Sequence, residues 1–280
     1  MECTCGFFRL ENPLPRPDKT PPDTQHGSSR QHAKGNDNIN VVIVNCRSVY
    51  RKVPELLSLI NGHNAHIVLG TESWLKPEVN NNEILNSDWN VYCRDRLDSE
   101  GGGVFIAIKS AIVSKEIDGD PKCEIIWVKV TVKAGSNMVI GCLYRPPGSA
   151  AVVAEHLKEN LENISSRFPD HVIVLGGDFN LPDIDWETQT FISGGRDKES
   201  SEIFLSALSE NYLEQLNREL TRGDNILDLL VTNRPELFET VNAEQGISDH
   251  KAVTASMISA VNRNIKKGRK SFLFSISDKK

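Results

Sequence analysis

Five segments of this chain share one arrangement: an apolar, β-branched run lies beside a cluster of polar side chains. VVIV runs into Asn45, HIVLGT into Glu72, VIGCL into Tyr144-Arg145, and VIVLGG into Asp178-Phe179-Asn180. Ser248-Asp249-His250 stands just before AVTASMI. Short runs of this kind form buried strands, and strand ends hold their side chains rigidly. Taken singly, an Asn or Glu after a strand is a turn residue, and Ser-Asp-His alone could simply open a turn. The five in this order form a pattern. If the ends converge, they gather carboxylates, two carboxamides, a phenol and an imidazole. Such an oxygen-rich set suits Mg²⁺ or Mn²⁺. In GGDFN, the two glycines permit close backbone approach and a tight turn before Asp178 and Asn180.

The intervening sequence predicts strands over 39–45, 66–72, 104–109, 138–145, 171–180, 226–233 and 252–258. A half-buried strand is expected over 124–132. Apolar spacing of three and four predicts helices over 53–62, 150–168 and 199–211. Many strands and few helices, without regular βαβ alternation, imply two packed sheets with helices outside. Residues 1–38, rich in Pro, Gly, Ser, Asn and Gln, read as a disordered leader, 39–260 as the folded domain and 261–280 as a basic tail.

With 280 residues the chain is long enough for a sizeable core. It has no apolar run near the roughly 20 residues needed to span a bilayer. A basic start followed by an apolar stretch is also missing, so neither membrane insertion nor secretion is expected. Six scattered cysteines (3, 5, 46, 93, 123 and 142) form no CxxC pair and fit a reducing compartment. Net charge is −6, but the last twenty residues hold seven Lys/Arg and one Asp, so residues 1–260 carry −6 − 6 = −12. A nucleic-acid partner would then need local basic contacts or a metal ion. Arg94, Arg96, Arg196 and Arg222 are candidates for phosphate contacts, and KKGRK (266–270) for a nuclear signal, a DNA contact or a solvated charge run. Trp74 and Trp127, in apolar contexts, are expected to pack in the core rather than stack on bases. Trp186 is expected to pack its own loop.

The stretches NCRSVYRKVPELLSLI, HIVLGTESWL, GGGVFIAIK, GCLYRPPG, GGDFNLPDIDW, TRGDNILDLLVTN and ISDHKAV, running from about Asn40 to Met257, resemble the endonuclease/exonuclease/phosphatase family. That family includes DNase I and the apurinic/apyrimidinic repair endonucleases. The closer resemblance is to the endonuclease domain of LINE-type (non-LTR) retrotransposons. It implies an α+β fold, a four-layer α/β/β/α sandwich with the site at one edge of the two sheets. It also implies hydrolysis of a DNA phosphodiester with Mg²⁺ or Mn²⁺.

Carried over, the resemblance makes Glu72 the main metal ligand, with Asn45 beside it and Asp249 helping to place the ion. Asp178 orients or deprotonates water, and Asn180 holds that water or a phosphate oxygen. His250, oriented by Asp228, donates to the phosphate. Tyr144 touches the phosphate with Arg145 nearby, and Thr221 and Ser248 make secondary phosphate contacts. The implied partner is DNA, with no small-molecule cofactor and no membrane. The protein is expected to be a monomer working in the nucleus, or in the cytoplasm before import. A repair nuclease, a phosphatase of small phosphoesters and an idle nucleic-acid-binding remnant are the alternatives. Because GRKSFLF resembles the linker leading toward a reverse transcriptase, a chain of this kind is expected to nick DNA without extending a primer.

Overall fold

The computed structural model describes residues 38–96, 101–132 and 137–258. The leader and the basic tail lie outside the described residues. In chain order the elements are β1 (Asn38–Asn45), α1 (Val53–Gly62), β2 (Ile67–Thr71), β3 (Trp89–Arg94), β4 (Val104–Lys109), β5 (Val113–Ile117), β6 (Ile125–Thr131) and β7 (Asn137–Tyr144). There follow α2 (Ala151–Arg167), β8 (Val172–Asp178), β9 (Ile184–Asp185), β10 (Thr190–Phe191), α3 (Lys198–Glu210), β11 (Glu214–Gln215), β12 (Asp228–Thr232), β13 (Phe238–Glu244) and β14 (Ala252–Ile258).

Strand alternation explains the layering. On β1, Val41 and Ile43 point one way, and Val42 and Val44 the other. Val41 and Ile43 join Ile67, Leu69, Ile106, Val128, Ile140 and Val174 in a core between two sheets. Val42 and Val44 join Val68, Phe105 and the α1 residues Leu56 and Ile60 in a second core. A third lies on the far side of the other sheet, where Trp127, Ile173 and Leu229 meet Leu157 and Leu161 of α2 and Phe204 of α3. Three apolar interfaces between four layers make an α/β/β/α sandwich, as expected from the sequence.

The first sheet has the order β13-β14-β1-β2-β4-β3 and the second β11-β12-β8-β7-β6-β5. A short β9–β10 hairpin stands apart. Neighbours are antiparallel except β1/β2 and β7/β8. Those two pairs are joined by α1 and α2, so each sheet centres on one βαβ unit whose strands end together. Gly176 lets the sheets approach: a Cβ there would lie 2.6 Å from Ile43 Cδ1 and 2.7 Å from Leu69 Cδ1. Gly177 has φ +139°, and a Cβ would run into the Leu143 carbonyl of β7. Neither position accepts a larger residue without displacing what carries Asp178.

Two expectations change. The stretch over 124–132 is buried along most of β6 rather than half-buried, because Ile126, Val128 and Val130 face the other sheet while Ile125 and Trp127, on the opposite face, are covered by the core against α2 and α3. Trp74 is 43% exposed, since Leu75 takes the core position beside it. Trp127 is fully buried, its indole N–H donating to Asn160 Oδ1 at 2.7 Å, and Trp186 is buried against Phe204.

Candidate active site

Register brings the polar ends together. In the second sheet Tyr144 pairs with Asp178, and Asp178 with Asp228, across three adjacent strands. In the first sheet Asn45 pairs with Thr71, so Glu72 follows at the same edge. Asn45 joins the two sheets: its Nδ2 donates to Glu72 Oε1 at 2.9 Å and to Asp178 Oδ2 at 3.0 Å. Its Oδ1 accepts the Arg47 N–H at 3.1 Å. His250, two residues before β14, places Nδ1 2.8 Å from Asp228 Oδ2 and Nε2 4.0 Å from Asp178 Oδ2. The Asp178, Asp228 and His250 side chains are all nearly inaccessible to solvent.

Two residues of this cluster have left-handed backbone. Glu72 and Asn180 both have φ +47°, left-handed conformations that cost non-glycine residues about 1–3 kcal/mol each. Asn180 is held by its own N–H donating to Asp178 Oδ1 at 3.2 Å and by Nδ2 donating to the Arg145 carbonyl at 2.8 Å.

Charges are shifted accordingly. Burial and then the neighbouring Asp228 charge push the Asp178 carboxyl well above the usual carboxylate range, against the opposing pull of His250 and Asn45. For His250, burial works to lower the pKa, but the hydrogen bond and charge of Asp228, with Asp178, outweigh it and the imidazole is raised. Burial, with Glu72 and Asp178 nearby, raises the Tyr144 phenol, which stays a proton donor. Asp228 Oδ1 is buried and has no hydrogen-bond partner.

Four further residues expected at the site are tied to their neighbours. Arg145 is buried and donates to the Asn180 and Ser149 carbonyls, Ser200 Oγ and Asp197 Oδ2. Its guanidinium fixes the loop that carries Asn180 and does not face a substrate. Thr221 is buried, and its Oγ1 accepts the N–H groups of Leu227 and Asp228. Ser248 Oγ donates to the Asn45 carbonyl at 2.8 Å and accepts the His250 N–H at 3.2 Å. Both hydroxyls shape loops rather than reach for phosphate. Asp249 is bound by Arg47 at 3.3 Å and Arg222 at 2.7 Å, so each of its oxygens meets a guanidinium group.

Among the arginine candidates, Arg94 is spent on the carbonyls of Asp120, Pro121 and Ile125. Arg96 pairs with Glu124 and lies over the Tyr144 ring, while Arg196 is exposed. Arg47, Asp197 and Ser200 were not foreseen. A basic residue two positions after Asn45 is a weak signal for the first, and nothing local marks the other two.

Two packed six-stranded sheets between helical layers, with the polar strand ends gathered at one edge, make a DNase I-like fold. Residues 138–254 match the family model described as endonuclease-reverse transcriptase. The endonuclease domain of TRAS1, a telomere-specific non-LTR retrotransposon, superposes with a TM-score of 0.60 at 16% identity, over 79% of this chain and 99% of that one. The 3′ phosphatase NExo from Neisseria, bound to product DNA hairpin, gives 0.61 at 17% identity over 78% and 99%. The catalytic domain of Xenopus laevis APE2 gives 0.58 at 13% over 80% and 94%. No curated protein matches the sequence. The likeness to these solved structures establishes a DNase I-like fold for the chain.

Proposed function

We propose that the protein is a divalent-metal-dependent endonuclease that nicks DNA, as the first step of target-primed reverse transcription. The observation that carries this reading is the position of Asp178, buried, in register with Tyr144 and Asp228, and linked through Asn45 to Glu72. The residues fit a hard cation. Glu72 is a half-buried carboxylate with one oxygen uncommitted to Asn45, and a second carboxylate lies on the same amide. Glu72 and Asn45 would hold Mg²⁺ or Mn²⁺. When bound, such an ion neutralises phosphate charge and polarises the phosphodiester. The cluster of Asp178, Asp228 and His250, within 4.8 Å of one another, is a poorer cage, because His250 Nδ1 is already bonded to Asp228 Oδ2 and Asp178 Oδ2 accepts from Asn45.

The chain's own groups support each remaining role. Asp178, made more basic than an ordinary carboxylate, accepts the proton of the attacking water. Asn180 keeps its Oδ1 free to orient that water, since its Nδ2 is committed to Arg145. His250 Nε2 is too far from Asp178 for a hydrogen bond and so can donate to a phosphate oxygen, while Asp228 holds the ring cationic. The Tyr144 hydroxyl is a further donor. Breaking the P–O3′ bond leaves the 3′-hydroxyl that priming requires. A DNA substrate would place the work in the nucleus.

Incubation with supercoiled plasmid and Mg²⁺, beside a phosphoinositide and a small phosphomonoester, tests the reading. Open circles from the plasmid with both phosphoesters intact are expected. Turnover of a phosphoester with intact plasmid would replace the endonuclease by a phosphatase.

A further inference from the structure

We infer that Trp74 is a stacking platform for a nucleobase of the bound strand, a positioning residue beside the phosphodiester site; this rests on the nuclease reading. Of the four tryptophans, Trp89, Trp127 and Trp186 are 7%, 0% and 5% exposed, and Trp74 is 43% exposed. A single exposed apolar side chain means little. Trp74 also has φ +53°, a genuine outlier for a bulky residue. Two separate costs, exposure and left-handed backbone, therefore fall on one residue, two positions from Glu72.

Its setting suits a flat ligand. Ser73 and Trp74 donate their N–H groups to the carbonyls of Gly103 (3.1 Å) and Gly102 (2.9 Å), which fixes the turn. Between them, buried Ser73 and buried Leu75 point into the protein, so the indole is turned out. A Cβ built on Gly101 would lie 3.5 Å from the indole Nε1. Gly101, Gly102 and Gly103 all have positive φ and present backbone beside the indole. Arg96, packed against Gly102, lies over Tyr144, so this rim is continuous with the site. An aromatic face of this kind takes any base, because every base has a π face.

The test uses the intrinsic fluorescence of the full chain, in EDTA so that DNA binds uncut. Binding of a dye-labelled duplex is followed in parallel by anisotropy. Stacking should quench the emission of wild type on DNA addition, and Trp74→Phe, which keeps the buried tryptophans, should show no quenching. Trp74→Ala should weaken binding and raise KM about tenfold with kcat little changed. Trp74→Phe should bind within about threefold of wild type. Circular dichroism should show all three equally folded. Binding by anisotropy without quenching, with Trp74→Ala binding like wild type, would overturn the platform and leave the nuclease reading intact. Absence of DNA binding in EDTA, with Trp74→Ala nicking plasmid in Mg²⁺ at the wild-type KM, would overturn the platform and leave the nuclease reading to the plasmid assay.

Discussion

Asp178 and Asp228 stand opposite each other on antiparallel β8 and β12, and His250 is bound to the second while facing the first. Two buried carboxylates so placed repel. A proton on one of them, or a cation between them, relieves the repulsion. His250 is the cation the chain supplies itself.

Asp228→Asn keeps an acceptor for His250 Nδ1 and removes the charge. The raised His250 pKa comes from Asp228 and Asp178 against burial, so it should fall in the variant. Nicking should drop by about 10², with the alkaline limb of the pH–rate profile displaced to lower pH. The sign for stability is the same. A raised His pKa contributes fully below about pH 6.5 and is lost as pH rises through the folded value. An unmoved alkaline limb would remove the imidazolium from the reaction.

The strands that build the site were legible because they are buried on both faces. β1, β2, β7 and β8 are short, β-branched apolar runs with polar residues at one end, a length and composition that favour strands over helices. β3, β5 and β13 were not foreseen. All three lie at sheet edges and mix polar positions with short apolar ones. The Asp228–His250 pair was inferred from resemblance, since nothing local in ILD or SDH announces it. Arg145 was set near the phosphate by resemblance alone; its burial depends on Asp197, which is 52 residues away. Trp74 misled because an apolar neighbourhood does not say which of two adjacent residues turns inward.

Arg145 makes the contrast measurable. Removing one member of a buried ion pair leaves polar groups uncompensated, so Arg145→Ala should lower the unfolding free energy by about 3 kcal/mol in urea titration. Activity should be lost with the fold and recover where the variant is folded only if Asn180 is still held. Unchanged stability with weakened DNA binding would return Arg145 to the substrate surface.

Metal dependence should appear in stability as well as in rate. EDTA should abolish nicking, and Mg²⁺ or Mn²⁺ should restore it. Because a ligand that binds only the folded state stabilises it, saturating Mg²⁺ should raise Tm of wild type. Glu72→Gln should lose most of that rise. A Tm shift retained in Glu72→Gln would move the ion to other ligands, and full nicking in EDTA would end the metal reading.

Asp178→Asn should separate catalysis from stability. The Asp178 carboxyl is raised by burial and by Asp228. Such a group binds its proton more tightly in the folded state. Its contribution is complete below about pH 4 and lost as pH climbs through the folded value. Metal-free wild type should therefore lose stability from mildly acidic toward alkaline pH. Asn is nearly isosteric and carries no charge, so the variant's profile should be flatter, and its Tm at alkaline pH should equal or exceed that of wild type. Nicking should nevertheless fall by about 10² or more, the scale for losing a general base. His250→Ala should fall comparably while remaining folded. A variant that is inactive and also less stable than wild type at every pH would make Asp178 a structural residue, not the base.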